Sequence, residues 1–308
     1  MNEIVLRAPA TIANVGPGFD IFAFALDRPF DLFRVALRGA PGTISIALSG
    51  ADGEIPSGAD RNTAGVAARH ILTRIGSRAG VTIEIHKRMP ACSGLGSSAA
   101  SAAAAAFGLN KLLGAGLNET DVVEAARQGE VASGGAAHAD NAAGCLLGGF
   151  VFIRGYDPLS VVRLPMPDVP IVVRVQRKAQ TTTRGRIPGF FSLADVKRQM
   201  ALCSEVMRAV ATGDVEAFGR AVNDDLISEP VRAGVIASYR ELKRKALEAG
   251  AWGCNVCGGG SSMFAVAPAG RLEDIAAIFR VARLPDGSVP EVIITKSSNR
   301  GVEVADGL

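Results

Sequence analysis

The chain has 308 residues and a formal net charge of +3, with 48% hydrophobic and 20% charged residues. That length suits one large or two ordinary domains with an ample core, and the apolar content excludes a disordered chain. The net charge is too small to argue for a nucleic-acid partner. The chain lacks a run of about 18 apolar residues, so no membrane-spanning helix is expected.

The first half of the chain predicts alternating strands and helices. Strands are expected where apolar and polar residues alternate between Gly, Pro or Asp breaks, at Glu3–Ala8, Asp31–Leu37, Thr43–Leu48, Val81–Lys87, Gly148–Arg154 and Val161–Leu164. Helices follow from cap residues and Gly stops, at Asn62–Ile75, Ser97–Phe107 and Asn118–Glu130. The proline-rich joint Pro165–Pro170 predicts a boundary between a domain of residues 1–165 and a domain of residues 166–308.

The second half of the sequence also predicts both helices and strands. Its elements are strand Ile171–Gln176, helices Leu193–Ala211, Val215–Asn223 and Ile236–Ala249, strands Cys254–Gly258 and Met263–Ala267, helix Leu272–Ala282 and strand Glu291–Lys296. With the extra helices counted in the first crossover, the order is β-α-β-β-α-β, which is ferredoxin-like. The expected fold class is therefore α/β, with an N-terminal β-α-β nucleotide-binding domain and a C-terminal ferredoxin-like domain.

A glycine- and serine-rich loop leads from the predicted strand at Val81–Lys87 into the small-residue helix that begins at Ser97. The loop reads Pro90-Ala-Cys-Ser-Gly-Leu-Gly-Ser-Ser-Ala-Ala100. Gly94 and Gly96 allow positive φ and a close approach of the backbone to a ligand. Ser97 and Ser98 place hydroxyl and N–H groups at a helix N-terminus, where the helix dipole favours anions. The loop therefore predicts a phosphate-binding site.

Other phosphate-binding signatures fit the chain poorly. A P-loop requires a Gly-Lys pair, which the sequence lacks, and a dinucleotide fingerprint requires glycine where Ala99 stands. Protein-kinase motifs such as His-Arg-Asp and Asp-Phe-Gly are also missing. A plain helix N-cap remains the alternative for Ser-Ser-Ala-Ala alone, and the flanking Gly-Leu-Gly with the preceding proline favours anion binding.

The same loop resembles the central ATP-binding motif of the GHMP kinases (galactokinase, homoserine kinase, mevalonate kinase and phosphomevalonate kinase). Three further stretches resemble homoserine kinases in particular, and the resemblance runs in family order from about residue 4 to about residue 300. They are Ala8–Asp20, Glu130 with His138-Ala-Asp-Asn141, and Glu229-Pro-Val-Arg232 with Gly250–Ser261. The resemblance implies a two-domain kinase that uses ATP and Mg²⁺. It assigns nucleotide binding to Asn62, Lys87, Pro90, Ala91, Cys92, Ser93, Gly94, Leu95, Gly96, Ser97, Ser98, Ala99 and Ala100.

The resemblance places the metal on Ser98 and Glu130. Magnesium prefers oxygen ligands, commonly one or two protein groups completed by phosphates and water. Glu119, Asp121 and Glu124 lie upstream of Glu130, so a solvated acidic helix face is the alternative. Of these acids Glu130 alone adjoins the Gly134-Gly135 break, which favours the metal assignment. For Lys87 two hypotheses remain open: added positive charge at the phosphates, or a surface strand residue.

The reacting hydroxyl lacks an obvious carboxylate base. Mevalonate kinases carry an aspartate eleven residues after the metal glutamate, and here that position is Asn141, which cannot accept a proton. Homoserine kinases resemble this sequence in that replacement. The resemblance implies direct attack by a positioned hydroxyl with late proton transfer. His138 is either a hydrogen-bonding residue, which we favour, or the base.

For the phosphoryl acceptor, the resemblance implies L-homoserine, which carries an ammonium, a carboxylate and one hydroxyl. Asp20 is assigned to the ammonium, and Asn14, Asn141 and His138 to the substrate near its hydroxyl. Arg186 and Arg232 are assigned to the carboxylate, since a guanidinium binds it in a fork. Spacing leaves Arg184 as a competitor of Arg186. A surface role is the alternative for either arginine.

Alternative functions share the same motifs. L-Threonine, pantoate or shikimate are other possible acceptors, since a methyl or hydroxyl difference is not resolved by motif spacing. A nucleotide-binding sensor without catalysis is the non-enzyme alternative, against which the retained Ser98 and Glu130 argue. A homodimer is a family expectation. Five cysteines without a secretion signal predict buried reduced thiols in a cytoplasmic protein, including a structural Cys254-x-x-Cys257 pair.

Overall fold

A computed structural model describes residues 2–50, 55–134, 137–177 and 183–307. The N-terminal half contains strands β1 to β6, at Glu3–Ala13, Phe22–Leu37, Ile44–Ser49, Val81–His86, Phe150–Tyr156 and Leu159–Leu164. Its helices α1 to α4 span Thr63–Arg74, Ser97–Leu112, Glu119–Gly134 and Asp140–Leu147. The predicted first-half strands and helices are thus found, while β1 and β2 are longer than predicted and α4 was not predicted.

The C-terminal half begins with β7 (Pro170–Arg174) and continues through four helices, α5 to α8, at Leu193–Thr212, Val215–Ala221, Glu229–Arg232 and Tyr239–Glu248. Strands β8 (Gly253–Val256) and β9 (Met263–Val266), helix α9 (Leu272–Val281) and strand β10 (Val292–Ser298) complete it. Its antiparallel strands lie in the order β10-β7-β9-β8. This is the ferredoxin-like order that the sequence predicted.

The two halves share one continuous sheet in the described residues. Strand β2 pairs with β1, β4 and β5, and its residues Leu26 and Ala25 pair with Ser297 and Ser298 of β10. After β10 the chain returns to β1 through β11 (Glu303–Val304), which was not predicted. The predicted joint does lie between β6 and β7, but the end of the chain packs with the first half. The limits 1–165 and 166–308 stay a prediction.

Alanine lets the N-terminal helices approach the sheet closely. Helix α2 has fully buried alanines over most of its length, and it packs against α1, α3, α4 and β1. A second apolar cluster, around Phe279, Leu242 and Ile275, lies between α8, α9 and the C-terminal strands. These two cores hold rigid elements on both sides of a cleft. None of the helices in the described ranges is long and apolar enough to cross a membrane.

The cysteine prediction of buried thiols holds for three of the five, is wrong for Cys92, and is met only in part by the half-buried Cys203. Cys145, Cys254 and Cys257 are buried and free, and burial raises the pKa of the Cys254 thiol to about 12. Within the described residues no group of three or more metal-ligating side chains is found. Cys92 is exposed, because it lies in the phosphate loop with a positive φ of 57° rather than in a packed element.

Candidate active site

The glycine-rich loop lies between two other segments of backbone. Gly96 has a φ of 72° and forms the N-cap of α2, while the Thr11 amide donates to the Leu95 carbonyl at 3.0 Å. A Cβ on Gly94 would lie 2.6 Å from the Cys257 carbonyl oxygen and 2.9 Å from the Cα of Gly260. Glycine is therefore required at Gly94, because the loop packs directly on the glycine-rich turn of the C-terminal half.

A cavity of about 510 Å³ opens in front of this loop and the N-terminus of α2. The first turn of a helix leaves N–H groups without helical acceptors, which suits the oxygens of a phosphate. Most of the predicted nucleotide-binding residues line the cavity. They are Asn62, Lys87, Ala91, Cys92, Ser93, Gly94, Gly96, Ser97 and Ser98, joined by Glu130, Asn141, Gly259 and Gly260.

Three of the predicted nucleotide-binding residues are buried away from that cavity. Leu95, Ala99 and Ala100 have no exposed surface, so at these positions only the backbone remains for a ligand. Pro90 lies at the start of the loop and accepts a hydrogen bond from the Ser93 hydroxyl at 2.7 Å. Small side chains here serve packing, which explains why the loop can approach a ligand so closely.

The structure excludes one of the two hypotheses for Lys87. Its ammonium is buried and donates to Asp31 Oδ2, Ser97 O, Ser97 Oγ and Ser101 Oγ at 2.8 to 2.9 Å. The surface-strand alternative is therefore wrong, and a direct contact with phosphate is not supported, because three N–H groups already serve four acceptors. Asp31 also accepts from the amides of Arg88 and Met89. The Lys87–Asp31 pair thus supports the start of α2 and of the loop from behind.

The Asn62 side chain is likewise engaged in hydrogen bonds to nearby backbone. Its Oδ1 accepts from the Ala64 amide at 3.0 Å as the N-cap of α1, and its Nδ2 donates to the Pro56 carbonyl at 2.7 Å. Both ends of the amide are engaged, so Asn62 shapes the wall of the cavity between Pro56 and α1.

Ser98 and Glu130 meet across the cavity from two different helices. The Ser98 hydroxyl donates to Glu130 Oε2 at 3.0 Å, and Glu130 Oε1 is buried without a hydrogen-bond partner among the described residues. Burial raises the pKa of Glu130 to about 7. An orphaned buried carboxylate oxygen beside a hydroxyl fits a hard cation that prefers oxygen ligands. The solvated acidic face is wrong for Glu130, while Glu119 is exposed.

Asn141 lies in the first turn of α4, on the same cavity wall. Its Oδ1 accepts from the Thr11 hydroxyl at 2.7 Å, which leaves its Nδ2 as a hydrogen-bond donor. The preceding residue, Asp140, is 3% exposed, and burial, with a smaller contribution from Asp20, raises the pKa of its carboxyl to about 6. The structure therefore puts an amide, not a carboxylate, at the edge of the phosphate cavity.

Asp20 lies beyond Asn141 in a left-handed turn, with a φ of 61°. Arg184 Nη2 donates to both carboxylate oxygens of Asp20, at 2.6 and 2.8 Å. Arg184 is therefore a second candidate beside Arg186, and the assignment of Arg186 to the carboxylate stays a prediction. Both arginines lie in the exposed 3₁₀ turn Arg184–Arg186, and among the described residues Arg184 contacts Asp20 while Arg186 does not.

Arg232 reaches the same place from α7. Its side chain is 3% exposed, its Nη1 donates to the Gly258 carbonyl at 2.8 Å, and its Nε has no partner in the described structure. The Arg184 and Arg232 guanidiniums each lie 5.2 Å from the centroid of the Phe19 ring. Phe19 therefore holds two cations close together, beside one acid. A buried guanidinium with an unused N–H is suited to a carboxylate ligand.

Three further side chains shape the turn around Asp20. Asn14 Oδ1 accepts from the Asp20 amide at 3.0 Å, so Asn14 positions the turn with its oxygen. His138 Nδ1 lies 3.9 Å from Asp20 Oδ1, and burial lowers the pKa of His138. The Tyr156 hydroxyl donates to the Asp20 carbonyl at 2.7 Å. A lowered pKa keeps His138 neutral at pH 7, which suits a hydrogen-bonding residue and a base equally, so both hypotheses stay open.

The cleft therefore has two chemically different ends. One end has backbone N–H groups, hydroxyls and the Ser98–Glu130 pair. The other has one acid and two guanidiniums. Asn141 lines the cavity at the first end.

Comparisons with known proteins identify the family of this chain. The models of "GHMP kinases N terminal domain" and "GHMP kinases C terminal" match residues 62–149 and 206–282. The chain belongs to the GHMP kinase family. It is 34% identical to the homoserine kinase of Methanococcus vannielii over 91% of this chain and 93% of that protein, and 40% identical to the homoserine kinase of Methanopyrus kandleri over 88% and 89%.

A solved structure agrees with this relationship. The homoserine kinase from Cytophaga hutchinsonii superposes on this kinase with a TM-score of 0.90, at 34% identity, over 99% of this chain and 98% of that one. The GHMP kinase fold predicted from the motifs is confirmed, and the family implies ATP as the co-substrate.

Sequence reasoning missed several residues that build the kinase site. Thr11, which holds Asn141, stands inside the quoted Ala8–Asp20 motif, so its position carried a signal. Phe19 stands in the same motif as the shared platform of two arginines. Tyr156 lies in a strand that was read only for its alternation, and no pattern in the sequence marks it as a neighbour of Asp20.

Proposed function

We propose that this kinase transfers the γ-phosphoryl group of ATP to the hydroxyl of L-homoserine, giving O-phospho-L-homoserine and ADP. The observation that carries the proposal is the cluster of Asp20, Arg184 and Arg232 around Phe19, beside the phosphate cavity. An acid and two guanidiniums match an ammonium and a carboxylate on one small molecule. The similarity to homoserine kinases supports the same acceptor.

The acceptor end is charged before any substrate arrives. Arg184 holds the Asp20 carboxylate in this structure, in the place proposed for the ammonium of homoserine. We infer that homoserine exchanges partners there: its ammonium binds Asp20, while its carboxylate draws Arg184 toward Arg232. Binding then replaces one ion pair by two, so that Asp20 and the arginines keep opposite charges beside them throughout.

The donor end binds ATP through the loop Pro90–Gly96 and the first turn of α2. Ser98 and Glu130 would hold Mg²⁺ together with the phosphates, since the orphaned Oε1 of Glu130 and the adjacent hydroxyl are oxygen ligands. When bound, the ion neutralises charge on the transferring phosphoryl group. The helix N-terminus adds a favourable field for the same charge.

The transfer itself relies on position. The homoserine oxygen forms a bond to the γ-phosphorus, the bond from that phosphorus to the β,γ-bridging oxygen breaks, and the hydroxyl proton leaves late, to a phosphate oxygen. Asn141 Nδ2 is placed to donate to the acceptor hydroxyl oxygen, with its orientation fixed by Thr11. This agrees with a loose transition state, in which little nucleophile activation is needed.

A panel of acceptors tests the proposal. ADP release is measured with ATP and Mg²⁺ against L-homoserine, L-threonine, 4-hydroxybutyrate, pantoate and shikimate. We expect homoserine to give the highest kcat/KM, and 4-hydroxybutyrate, which lacks the ammonium, to give little turnover. Faster phosphorylation of pantoate or shikimate contradicts the amino-acid acceptor, and ATP binding without turnover of any acceptor supports a sensor instead.

A further inference from the structure

One buried amide bridges two parts of the acceptor end. Gln199 lies in the second turn of α5 and is 6% exposed. Its Nε2 donates to the Pro17 carbonyl at 2.7 Å and to Asp225 Oδ1 at 2.9 Å, and its Oε1 accepts from the Leu226 amide at 2.9 Å. Both donors and the acceptor of this side chain are therefore satisfied by two different segments.

The first segment is the turn that carries Asp20. Pro17 stands in the Gly16-Pro-Gly18 turn, and the Gly18 carbonyl accepts from the amides of Ile21 and Phe22, so the turn is a compact unit. The Cys203 thiol, one turn further along α5, also donates to the Pro17 carbonyl, at 3.3 Å. Helix α5 thus fixes the turn from the C-terminal half of the chain.

The second segment is the turn that carries Arg232. Asp225 is 5% exposed and accepts from the amides of Ile227, Ser228 and Glu229 and from the Ser228 hydroxyl. These bonds organise the start of α7, four residues before Arg232, whose amide donates to the Ser228 carbonyl. The Gln199 bond to Asp225 therefore sets where α7 begins.

We propose that Gln199 is a positioning residue that sets the separation of Asp20 and Arg232, and thereby the fit of the zwitterionic acceptor. The inference rests on the proposed function. Buried amides are generally hydrogen-bonded, so the bonds alone do not indicate a role. The Gln199 amide, however, joins the Pro17 carbonyl, in the turn that carries Asp20, to Asp225, which caps the helix that carries Arg232. A shift of about 1 Å in such groups costs up to about a hundredfold in rate.

The test uses three variants of the full chain. Gln199→Met preserves volume and removes every hydrogen bond of the amide, and Gln199→Asn keeps the amide but shortens its reach. Cys203→Ala removes the second hydrogen bond from α5 to the Pro17 carbonyl. Ser204→Ala is the matched control, because its hydroxyl donates only to the Met200 carbonyl within the same helix. Thermal unfolding first establishes which variants are folded.

Kinetics with each substrate varied in turn then separate positioning from stability. In Gln199→Met we expect KM for homoserine to rise about tenfold, while KM for ATP and kcat stay within about twofold. Cys203→Ala should show a smaller rise in the same constant, and Ser204→Ala none. If Gln199→Met does not fold, Gln199→Asn carries the test, with a rise of about threefold expected.

Two results overturn the proposal. One is an unchanged KM for homoserine in a folded Gln199 variant. The other is an equal rise in KM for both substrates, which a general loss of stability would produce. Failure of the proposed function can be told apart from failure of this inference, because the wild-type protein would then not turn over homoserine at all. In that case the variants are compared on the acceptor that the panel identifies. An unchanged KM for that acceptor would also reject the positioning role.

Discussion

The donor end and the acceptor end of the cleft are built from different kinds of chain segment. The donor end comes from one continuous stretch, Pro90–Ala100, completed by Glu130 from the neighbouring helix. The acceptor end brings together the turn at Asp20, the loop at His138, the 3₁₀ turn at Arg184 and the short helix at Arg232.

The two ends also differ in how charge is handled. At the donor end the Lys87 ammonium is buried behind the loop and fully partnered, so that backbone and hydroxyl groups face the cavity. At the acceptor end one acid lies beside two guanidiniums, and in this structure Arg184 neutralises the Asp20 carboxylate. We therefore expect a polyphosphate to be bound by dipoles and a metal site, and a zwitterion to be bound by formal charges of opposite sign.

The largest effect is expected from a substitution that disables the donor end alone. Glu130→Gln keeps the shape of the residue but removes the charge beside Ser98, so kcat should fall by about 10²- to 10³-fold, since electrostatic stabilisation carries most of phosphoryl transfer. KM for homoserine should change little. Steady-state ADP release measures both, and Glu119→Gln, on an exposed part of the same helix, is the control. Near-normal turnover of Glu130→Gln at ordinary Mg²⁺ concentrations would remove the metal assignment.

The next largest effect is expected from a substitution that disables the acceptor end alone. Asp20→Ala removes the proposed partner of the ammonium. We expect kcat/KM for homoserine to fall roughly 30- to 150-fold, which corresponds to a loss of about 2 to 3 kcal/mol of transition-state stabilisation. The Asp20 side chain is 23% exposed, so solvent screens the interaction and keeps the expected loss moderate. Turnover of 4-hydroxybutyrate should fall much less, because it has no ammonium. Asp27→Ala, at an ion pair with Arg300 outside the cleft, is the control; equal losses for both acceptors would argue against the assignment.

A smaller effect sharpens the choice between the two neighbouring arginines. Arg184→Ala should raise KM for homoserine about tenfold, because it loses a charge-assisted contact at the carboxylate. Arg186→Ala should leave the same constant within about twofold, since surface substitutions away from a site are nearly neutral. Kinetics at saturating ATP decide the order, and the reverse order would support Arg186, which the family resemblance implies.

The smallest effect concerns His138. Burial lowers the pKa of His138, so the ring is neutral at pH 7 and gains a proton only below its ordinary range near 6.5. His138→Gln should therefore raise KM for homoserine a few-fold and leave any acidic limb of the kcat profile in place. The check is a pH profile of kcat for both proteins. Loss of a wild-type limb together with a fall in kcat of about 10²-fold would identify His138 as the base.

The amino-acid sequence by itself determined the elements and the donor end. Local patterns, such as Asn62 at a helix start and glycines at 94 and 96, act over a few residues, and the structure places them as predicted. The β-α-β-β-α-β order likewise followed from alternation and caps. The short elements α4, α7 and β11 were not predicted from the sequence. One or two turns of helix, or two residues of strand, are too short to show a hydrophobic periodicity.

Only the tertiary structure decided how the acceptor end is assembled. Arg184 rather than Arg186 meets Asp20 because the chain fold brings residues 164 positions apart together, and spacing along the sequence does not measure that approach. Burial of Lys87 behind the loop was hidden for the same reason, since its partner Asp31 lies 56 residues away on another strand. Long-range packing, which fixes burial and the partners of each charge, is what the local sequence does not contain.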